Sequence, residues 1–545
     1  MFMASIDLTN AYYCVPIAEE HQIYLRFAWN DKLFQFTCFP NGLAFCPRKF
    51  SKLMKPVYSS LRNMGHINSG FIDDSLLCGA TYEECVSNVT DTKNLMTKVG
   101  FIINHEKSVF IPSTTMTFLG NVIDSEKMIV FLPDEKKERI VNECKCLLSK
   151  QKATIRKVAQ VIGYLVAAFS AVQFGQLNYR ELERQKSLAL KANHGQFDSV
   201  MLITDGMKKD LHWWIHNIHS QYRQISHGNP QVTIQTDASS VGWGYVFENQ
   251  KVGGRWSVNE CSLHINVLEL LAIKVAITGL LVFLTGKHVL IQSDSSTAVS
   301  YISKFGGIKS PECNKVAKEI WQMCIDNNIW LTCSHIPGVT NLADEPSRKF
   351  RDELEWSLSI EIFNKICNVW GEPKIDLFAT RLNAKMPLFC SWKPDPDAKF
   401  IDCFTIDWSA FQSVYVFCPF SLLGRSVQKI QLDKARGIVI APIWPTQQWF
   451  PVLMRMLVDI PIVLPKVSQI LHLPHSKREH PLSKKLALMA CRVSGITSDH
   501  RDFLQSLPTY SCVHGEIRPK NSISAILKNG FHTVIGNKFL QFRLQ

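Results

Sequence analysis

No Cys-x-x-Cys pair occurs among the 17 cysteines of this 545-residue chain. That absence argues against zinc ribbons, and scattered thiols fit a reducing cytoplasmic or nuclear setting rather than a disulfide scaffold. The first residues lack a basic region followed by an apolar stretch, so no secretory signal is evident. Long uncharged apolar runs are also missing. The most apolar region, Val267 to Leu284, contains Glu269 and Lys274 and reads as a buried helix rather than a membrane span. Strong charge of one sign is absent too: 60 Lys and Arg against 47 Asp and Glu leave an excess of 13. That excess suits a phosphate-backbone partner but is too small to identify one. What the chain does have is length and 46% hydrophobic content, enough for several cores.

Against this background, adjacent acids inside apolar runs stand out. In Ser69-Gly70-Phe71-Ile72-Asp73-Asp74-Ser75-Leu76-Leu77 two short strands are expected, with the aspartates at a tight turn. Two neighbouring carboxylates repel when ionised, and apolar surroundings worsen the cost. A divalent cation such as Mg²⁺ removes the penalty; an ordinary Asp-Asp turn is the plainer explanation. A third carboxylate, Asp7, ends the apolar stretch Ser5-Ile6-Asp7-Leu8, with Tyr12 and Tyr13 following. Between the two acidic sites, Phe39-Pro40-Asn41-Gly42-Leu43 has turn chemistry leading into a helix, with Pro47 near its first turn.

These segments resemble reverse transcriptases. Asp7 matches the first catalytic aspartate of the palm, Phe39 to Phe50 (with Gly42 and Pro47) the template- and nucleotide-facing segment, and Phe71 to Asp74 the aromatic-x-Asp-Asp signature. Gly100 to Ser108 and Phe118-Leu119-Gly120 continue the order as the next palm motif and the primer grip. The resemblance implies that Asp7 and Asp73 hold two Mg²⁺ ions, with Asp74 in support. It implies that Lys107 acts near the departing pyrophosphate, and that Tyr12 either excludes ribonucleotides sterically or packs as a core aromatic. The family's fingers precede its first aspartate, so residues 1–130 are expected to be a palm with truncated fingers.

Residues 131–230 are expected to form thumb and connection helices. Pro133-Asp134-Glu135 opens one, and Ile155, Val158, Ile162 and Leu165 share a face of the next. Lys150, Lys152, Arg156 and Lys157 either grip a duplex by its phosphates or form a solvated surface.

A second acidic set follows within residues 231–350. Asp237 ends Thr233-Ile234-Gln235-Thr236, Glu269 interrupts an apolar helix, Asp294 follows His288 to Ser293, and Asp344 follows Asn341-Leu342-Ala343. Each sits where an unpaired charge is costly without a metal or partner. The pattern resembles ribonuclease H, which implies a two-metal site on Asp237, Glu269, Asp294 and Asp344 and hydrolysis of RNA in RNA–DNA hybrids. His335 falls where that family has a mobile histidine, or is an ordinary loop residue.

After a linker at 351–369, residues 370–480 alternate strands with helical stretches, suggesting an α/β layer. Lys374-Ile375-Asp376-Leu377-Phe378-Ala379 and Phe417-Cys418-Pro419-Phe420 resemble the Dam-like methyltransferase domain of DIRS-type retrotransposons. That implies S-adenosylmethionine near Asp376, with Pro419 and Phe420 in the catalytic motif and the aromatic Phe420 stacking on a flipped base. Phe417 departs from the family's Asx, which accepts the amine hydrogen bond, so a structural or DNA-binding role stands beside the methyltransferase one. Residues 481–545 are expected to be a basic tail. His472, His475 and His480 offer a histidine cluster without paired cysteines.

The whole is expected to be multidomain, α/β and α+β: palm and thumb, a mixed ribonuclease H-like sheet with helices, and a third methyltransferase-like layer. Its order resembles DIRS- and Ngaro-type elements. That resemblance implies RNA template, DNA primer, hybrid and deoxynucleoside triphosphates as partners, with an element-encoded recombinase or Gag-like protein beside them and no membrane. The alternative is a remnant in which only hybrid cleavage or nucleic-acid binding survives.

Overall fold

The computed structural model describes residues 1–350, 355–476, 478, 480–509 and 531–544. Parts of the expected linker and tail, and Lys477, lie outside the described residues. The chain forms two compact units, Met1–Asn229 with Lys304–Asn314, and Pro230–Ser303 with Lys315–Gln545. The segment 304–314, expected within the ribonuclease H-like stretch, therefore belongs to the first unit. There the Arg180 Nε donates to the Phe305 carbonyl at 3.3 Å.

The first unit opens on a four-stranded antiparallel sheet in the order β4-β5-β1-β6. Its strands are β1 (Phe2–Leu8), β4 (Ile67–Phe71), β5 (Asp74–Gly79) and β6 (Ile103–Ser113). An exposed hairpin, β2 (Arg26–Trp29) and β3 (Lys32–Gln35), comes between β1 and helix α1 (Cys46–Asn63). Helices α1 and α2 (Tyr82–Lys98) close one face of the sheet. Alternate residues Ala4, Ile6 and Leu8 of β1 enter a core with Phe50, Met54 and Met96. A capping box at Thr81 and Glu84 starts α2. Strands β7 (Thr115–Phe118) and β8 (Asn121–Asp124) form a hairpin whose turn, Leu119-Gly120, takes positive φ at both residues. β9 (Ile129–Phe131) continues that sheet.

Four helices follow: α3 (Asp134–Leu148), α4 (Ile155–Ala167), α5 (Arg180–Ala192) and α6 (Asp205–Asn217). The face expected of α4 is buried, with Val161 added to Ile155, Val158, Ile162 and Leu165. The helices share one core in which Trp214 is fully buried, its indole N–H on the Asn178 carbonyl at 2.9 Å. The basic group expected at this point is half neutralised. Arg156 pairs with Asp198 at 2.7 Å and Lys157 with Glu143 at 2.6 Å, while Lys150 and Lys152 are exposed.

The second unit begins with a five-stranded mixed sheet, ordered β12-β11-β10-β13-β14. The strands are β10 (Val232–Ala238), β11 (Gly242–Phe247), β12 (Gln250–Arg255), β13 (His288–Ser293) and β14 (Trp330–His335). The first three are antiparallel neighbours, and β13 and β14 run parallel to β10. Helix α7 (Ile265–Gly279) is apolar on nearly every face and is buried against β10 and β11. No described helix is long and apolar enough to cross a membrane. The short helix α8 (Asp344–Arg348) docks on β11 and β12 because those strands carry glycine beneath it. A Cβ on Gly253 would stand 2.0 Å from the Pro346 carbonyl oxygen, and one on Gly244 2.6 Å from that of Ala343.

The expected linker and tail both give way to folded structure. Helix α9 (Ile360–Trp370) buries Ile362, Phe363 and Ile366 against a six-stranded sheet ordered β15-β16-β17-β19-β18-β20. Its strands are β15 (Ile375–Asp376), β16 (Val414–Val416), β17 (Arg436–Pro442), β18 (Ile462–Val463), β19 (Leu488–Ser494) and β20 (Arg543–Leu544). β15, β16 and β17 are parallel; β19, inside the stretch expected to be a tail, pairs antiparallel with β17 along its whole length. Val414, Val416 and Val439 face one core while Tyr415, Ile438 and Ile440 face another, so the sheet is covered on both sides. The α10 helix (Leu423–Leu432) packs on the first of these cores through Leu423, Val427 and Ile430.

Candidate active sites

In the first unit, strand pairing brings Asp7, Asp73 and Asp74 to one end of the sheet. Asp7 lies opposite Asp74 in the β1–β5 register and opposite Asn104 in β1–β6. Asp73 occupies the β4–β5 turn with Ile72, and its carbonyl accepts from the Leu8 N–H at 3.2 Å. Ile72 takes φ 56°, a left-handed conformation that a β-branched residue adopts only at a cost. The Asp7 N–H donates to the Ser108 hydroxyl at 3.0 Å, fixing the end of β1. Burial raises the Asp74 carboxyl above its ordinary range, Asp73 and Asp7 add to the rise, and Lys107 opposes it. Tyr12 packs edge-on against Phe50 at 5.8 Å, and its phenol is pushed up by burial and by Asp73.

The other residues expected to serve this site divide by exposure. Phe39 is buried edge-on against Phe45, Gly42 sits in an exposed turn at φ 93°, and Pro47 lies in the first turn of α1. Lys107 is exposed on β6.

The second unit holds a tighter site. Asp237 near the end of β10, Glu269 on α7 and Asp294 just after β13 bring carboxylate oxygens within 4.8 Å of one another. Among the described residues this is the metal-ligating group of that kind; Asp7, Asp73 and Asp74 do not form one. Burial, then the charges of Asp237 and Asp294, push the Glu269 carboxyl up to about 8. Burial likewise raises Asp237 to about 6, with Asp294 and Asp344 adding and the Ser347 hydroxyl opposing. The Ala238 N–H supports the Glu269 carboxylate, yet its Oε2 is buried with no hydrogen-bond partner. An all-oxygen donor set with an orphaned buried oxygen and mutual repulsion is what a hard divalent cation satisfies, so the residues fit Mg²⁺.

Asp344 lies outside the trio. Its carboxylate accepts from Arg348, at 2.8 Å from Nε and 2.7 Å from the terminal nitrogen. His335 ends β14, exposed, in register with Ser293. Two residues that the motifs did not single out complete the site. The buried Ser347 hydroxyl donates to Asp237 Oδ2 at 2.6 Å. The Asn341 amide donates to the Thr236 carbonyl at 3.1 Å and to Asp294 Oδ1 at 3.4 Å, tying β10 to the Asp294 loop. Each lies three residues from Asp344, but neither type is unusual in a loop or helix end until α8 is docked.

In the third layer Asp376 is buried and its carboxyl is raised to about 6 by that burial. Its oxygens accept from the Phe378 and Lys385 N–H groups at 3.3 and 3.1 Å. Pro419 and Phe420 line a cavity of about 1240 Å³, with Phe420 edge-on to Trp444 at 5.4 Å. His475 and His480 line it too, and His472 sits on a short strand with Leu471; the three form no metal-ligating group among the described residues.

Both sites gather carboxylates at the end of a sheet, and only Asp237, Glu269 and Asp294 are crowded closely enough to share a cation among the described residues. The family comparison adds a class. Residues 1–123 match the model described as "Reverse transcriptase (RNA-dependent DNA polymerase)", so the chain carries a reverse transcriptase domain. It is similar to the Gag-Pol polyprotein of avian reticuloendotheliosis virus, 24% identical over 168 residues that are 29% of this chain and 14% of that protein. It is also similar to the Pro-Pol polyprotein of simian foamy virus type 1, 21% identical over 246 residues, 45% of this chain and 20% of that protein. The chain thus spans a fifth or less of these relatives' length. Among solved structures, a foamy viral protease-reverse transcriptase in complex with an RNA/DNA hybrid aligns with TM-score 0.38 and 16% identity, covering 66% of this chain and 48% of that one.

Proposed function

We propose that the chain is an RNA-directed DNA polymerase coupled to a ribonuclease H, from a DIRS- or Ngaro-type retrotransposon, acting in the cytoplasm or nucleus. The observation that carries the nuclease half is the convergence of Asp237, Glu269 and Asp294 within 4.8 Å on a mixed five-stranded sheet, with Asp344 close enough to raise Asp237. The polymerase half rests on the matched reverse transcriptase domain and the alignment of Asp7, Asp73 and Asp74 at one sheet end.

Asp237, Glu269 and Asp294 would hold Mg²⁺, which when bound would supply an activated water and charge stabilisation at the scissile phosphate. The chain's own residues set the stage for that. Ser347 holds one oxygen of Asp237 and leaves the other free, while Asn341 orients Asp294. Arg348 neutralises Asp344, and an incoming phosphate can draw that guanidinium away, since charge-assisted bonds to phosphate and carboxylate are of similar strength. His335, exposed beside Ser293, is placed to meet the leaving strand. In the palm, Asp7, Asp73 and Asp74 would hold the cations for primer extension, Lys107 would face the pyrophosphate, and Tyr12 beside Asp73 would crowd a ribose 2′ hydroxyl.

A second reading, hybrid cleavage alone, is favoured by one fact: the palm acids do not close to within the 4.8 Å spread of the other trio. Primer extension on an RNA template and cleavage of a labelled hybrid, run side by side with Mg²⁺, separate the readings. Synthesis lost in Asp73→Asn supports both activities. Cleavage without synthesis supports the second, and neither activity in a folded protein refutes both.

The third layer does not fit S-adenosylmethionine-dependent adenine methylation. Asp376 is buried with each oxygen held by a backbone N–H, and in the resembling motif Phe417 takes the place of an amine acceptor that its side chain cannot supply. No step is assigned to that cofactor.

A further inference from the structure

The cavity of about 1240 Å³ in the third layer is left without a role. It lies beside the segments that follow β15 and β16, where open α/β sheets bind ligands. Its volume exceeds the roughly 300–1,000 Å³ usual for a small-molecule site. Phe378 and Phe404 meet edge-on at 5.7 Å on one wall, and Trp392 stands 60% exposed at the rim. The Arg425 guanidinium lies 3.8 Å over the Phe404 ring and has no ion pair or hydrogen bond among the described residues. Arg255, the last residue of β12 in the ribonuclease H-like sheet, stacks on Phe350 at 4.4 Å and lines the same cavity. Of the two carboxylates in the lining, Asp402 is taken by the Phe404 N–H at 3.0 Å. The other, the side chain of Glu355, is only 9% exposed. Its Oε1 makes no hydrogen bond, although Lys393 Nζ lies at 3.4 Å.

We propose that this cavity binds single-stranded nucleic acid. Unpaired bases stack on the aromatic walls, phosphates lie against Arg425, and a base amino group donates to Glu355. Stacking platforms beside cations are the general solution for single strands, because every base offers a π-face. A duplex keeps its bases stacked on one another and cannot use such walls. Arg255 and Phe350 bring the ribonuclease H-like part into the lining of the same cavity. The proposal needs no catalysis by either acidic site.

The test is fluorescence anisotropy of the full chain in EDTA, with a labelled oligodeoxyadenylate of about ten nucleotides. Phe404→Ala and Arg425→Gln are each expected to weaken binding about five- to tenfold while changing affinity for a blunt RNA–DNA hybrid less than about twofold. Photocrosslinking of a halogenated oligonucleotide to the unmodified protein is expected to mark Trp392, Phe404 or Phe420. Unchanged affinity in both folded variants overturns the proposal, as do crosslinks found only outside the cavity. Hybrid cleavage measured on the same preparations tests the nuclease reading separately.

Discussion

Glu269 sits in a helix with scarcely a polar face, carries a buried oxygen without a partner, and is held up to about 8 by burial and two neighbouring acids. That combination has a sign. Without a divalent cation the folded chain keeps protons on Glu269 and Asp237 through a range in which the unfolded chain has released them. The folded form then binds more protons than the unfolded one, so this contribution to stability is full below the unfolded values and is lost as pH rises toward 8. In EDTA, the thermal midpoint of Glu269→Gln is therefore expected to exceed that of the parent increasingly as pH rises through that range, and Mg²⁺ is expected to remove the pH trend in the parent. Ser347 makes a separate point. Its hydroxyl favours ionised Asp237, and Ser347→Ala should slow hybrid cleavage about three- to tenfold and raise the Mg²⁺ concentration for half-maximal rate, readable by titration. The acids were legible in sequence because a charge in an apolar run has few structural excuses. Ser347 and Asn341 were not, because their roles exist only once α8 is docked.

At the scale of elements, the docking of α8 depends on what β12 leaves out. A Cβ at Gly253 meets main-chain atoms of Pro346, which cannot rotate away as a side chain would. Gly253→Ala should push α8 off the sheet, cost about 1–3 kcal/mol by overpacking, and reduce hybrid cleavage at least about tenfold; denaturant melts and rates together check it. Local patterns served well where structure is local. The Phe71 to Asp74 hairpin, the α4 face and the Leu119-Gly120 turn all lie where their residues point. They failed where pairing is distant. β19 is buried on both faces, so it lacks alternation, and Lys484 and Lys485 beside it suggested a tail. Its partner β17 lies some fifty residues upstream and leaves no local trace. The same holds for Arg156, whose neutralising Asp198 is 42 residues away.

For the molecule as a whole, sequence order marks the acidic sites but not the units. Lys304–Asn314 joins the first unit although its neighbours in sequence belong to the second. Within the second unit, Arg381 reaches both oxygens of Glu260 at 2.7 and 2.8 Å and so ties the six-stranded layer to the five-stranded part. Glu260 is pulled below its ordinary range by that pair, against the effect of burial. Arg381→Ala leaves the partly buried Glu260 carboxylate held only by the Ser257 N–H and hydroxyl and should cost about 1–3 kcal/mol, splitting one cooperative melt of this unit into two. The carboxylate trio carries the proposed nuclease. The most direct test is cleavage of a labelled RNA–DNA hybrid with Mg²⁺ by the Asp73→Asn chain, in which the proposed polymerisation would be silenced. RNA-strand cleavage that falls at least about a hundredfold on adding Asp294→Asn is the expected result. An intact hybrid, or equal cleavage by both proteins, would contradict it.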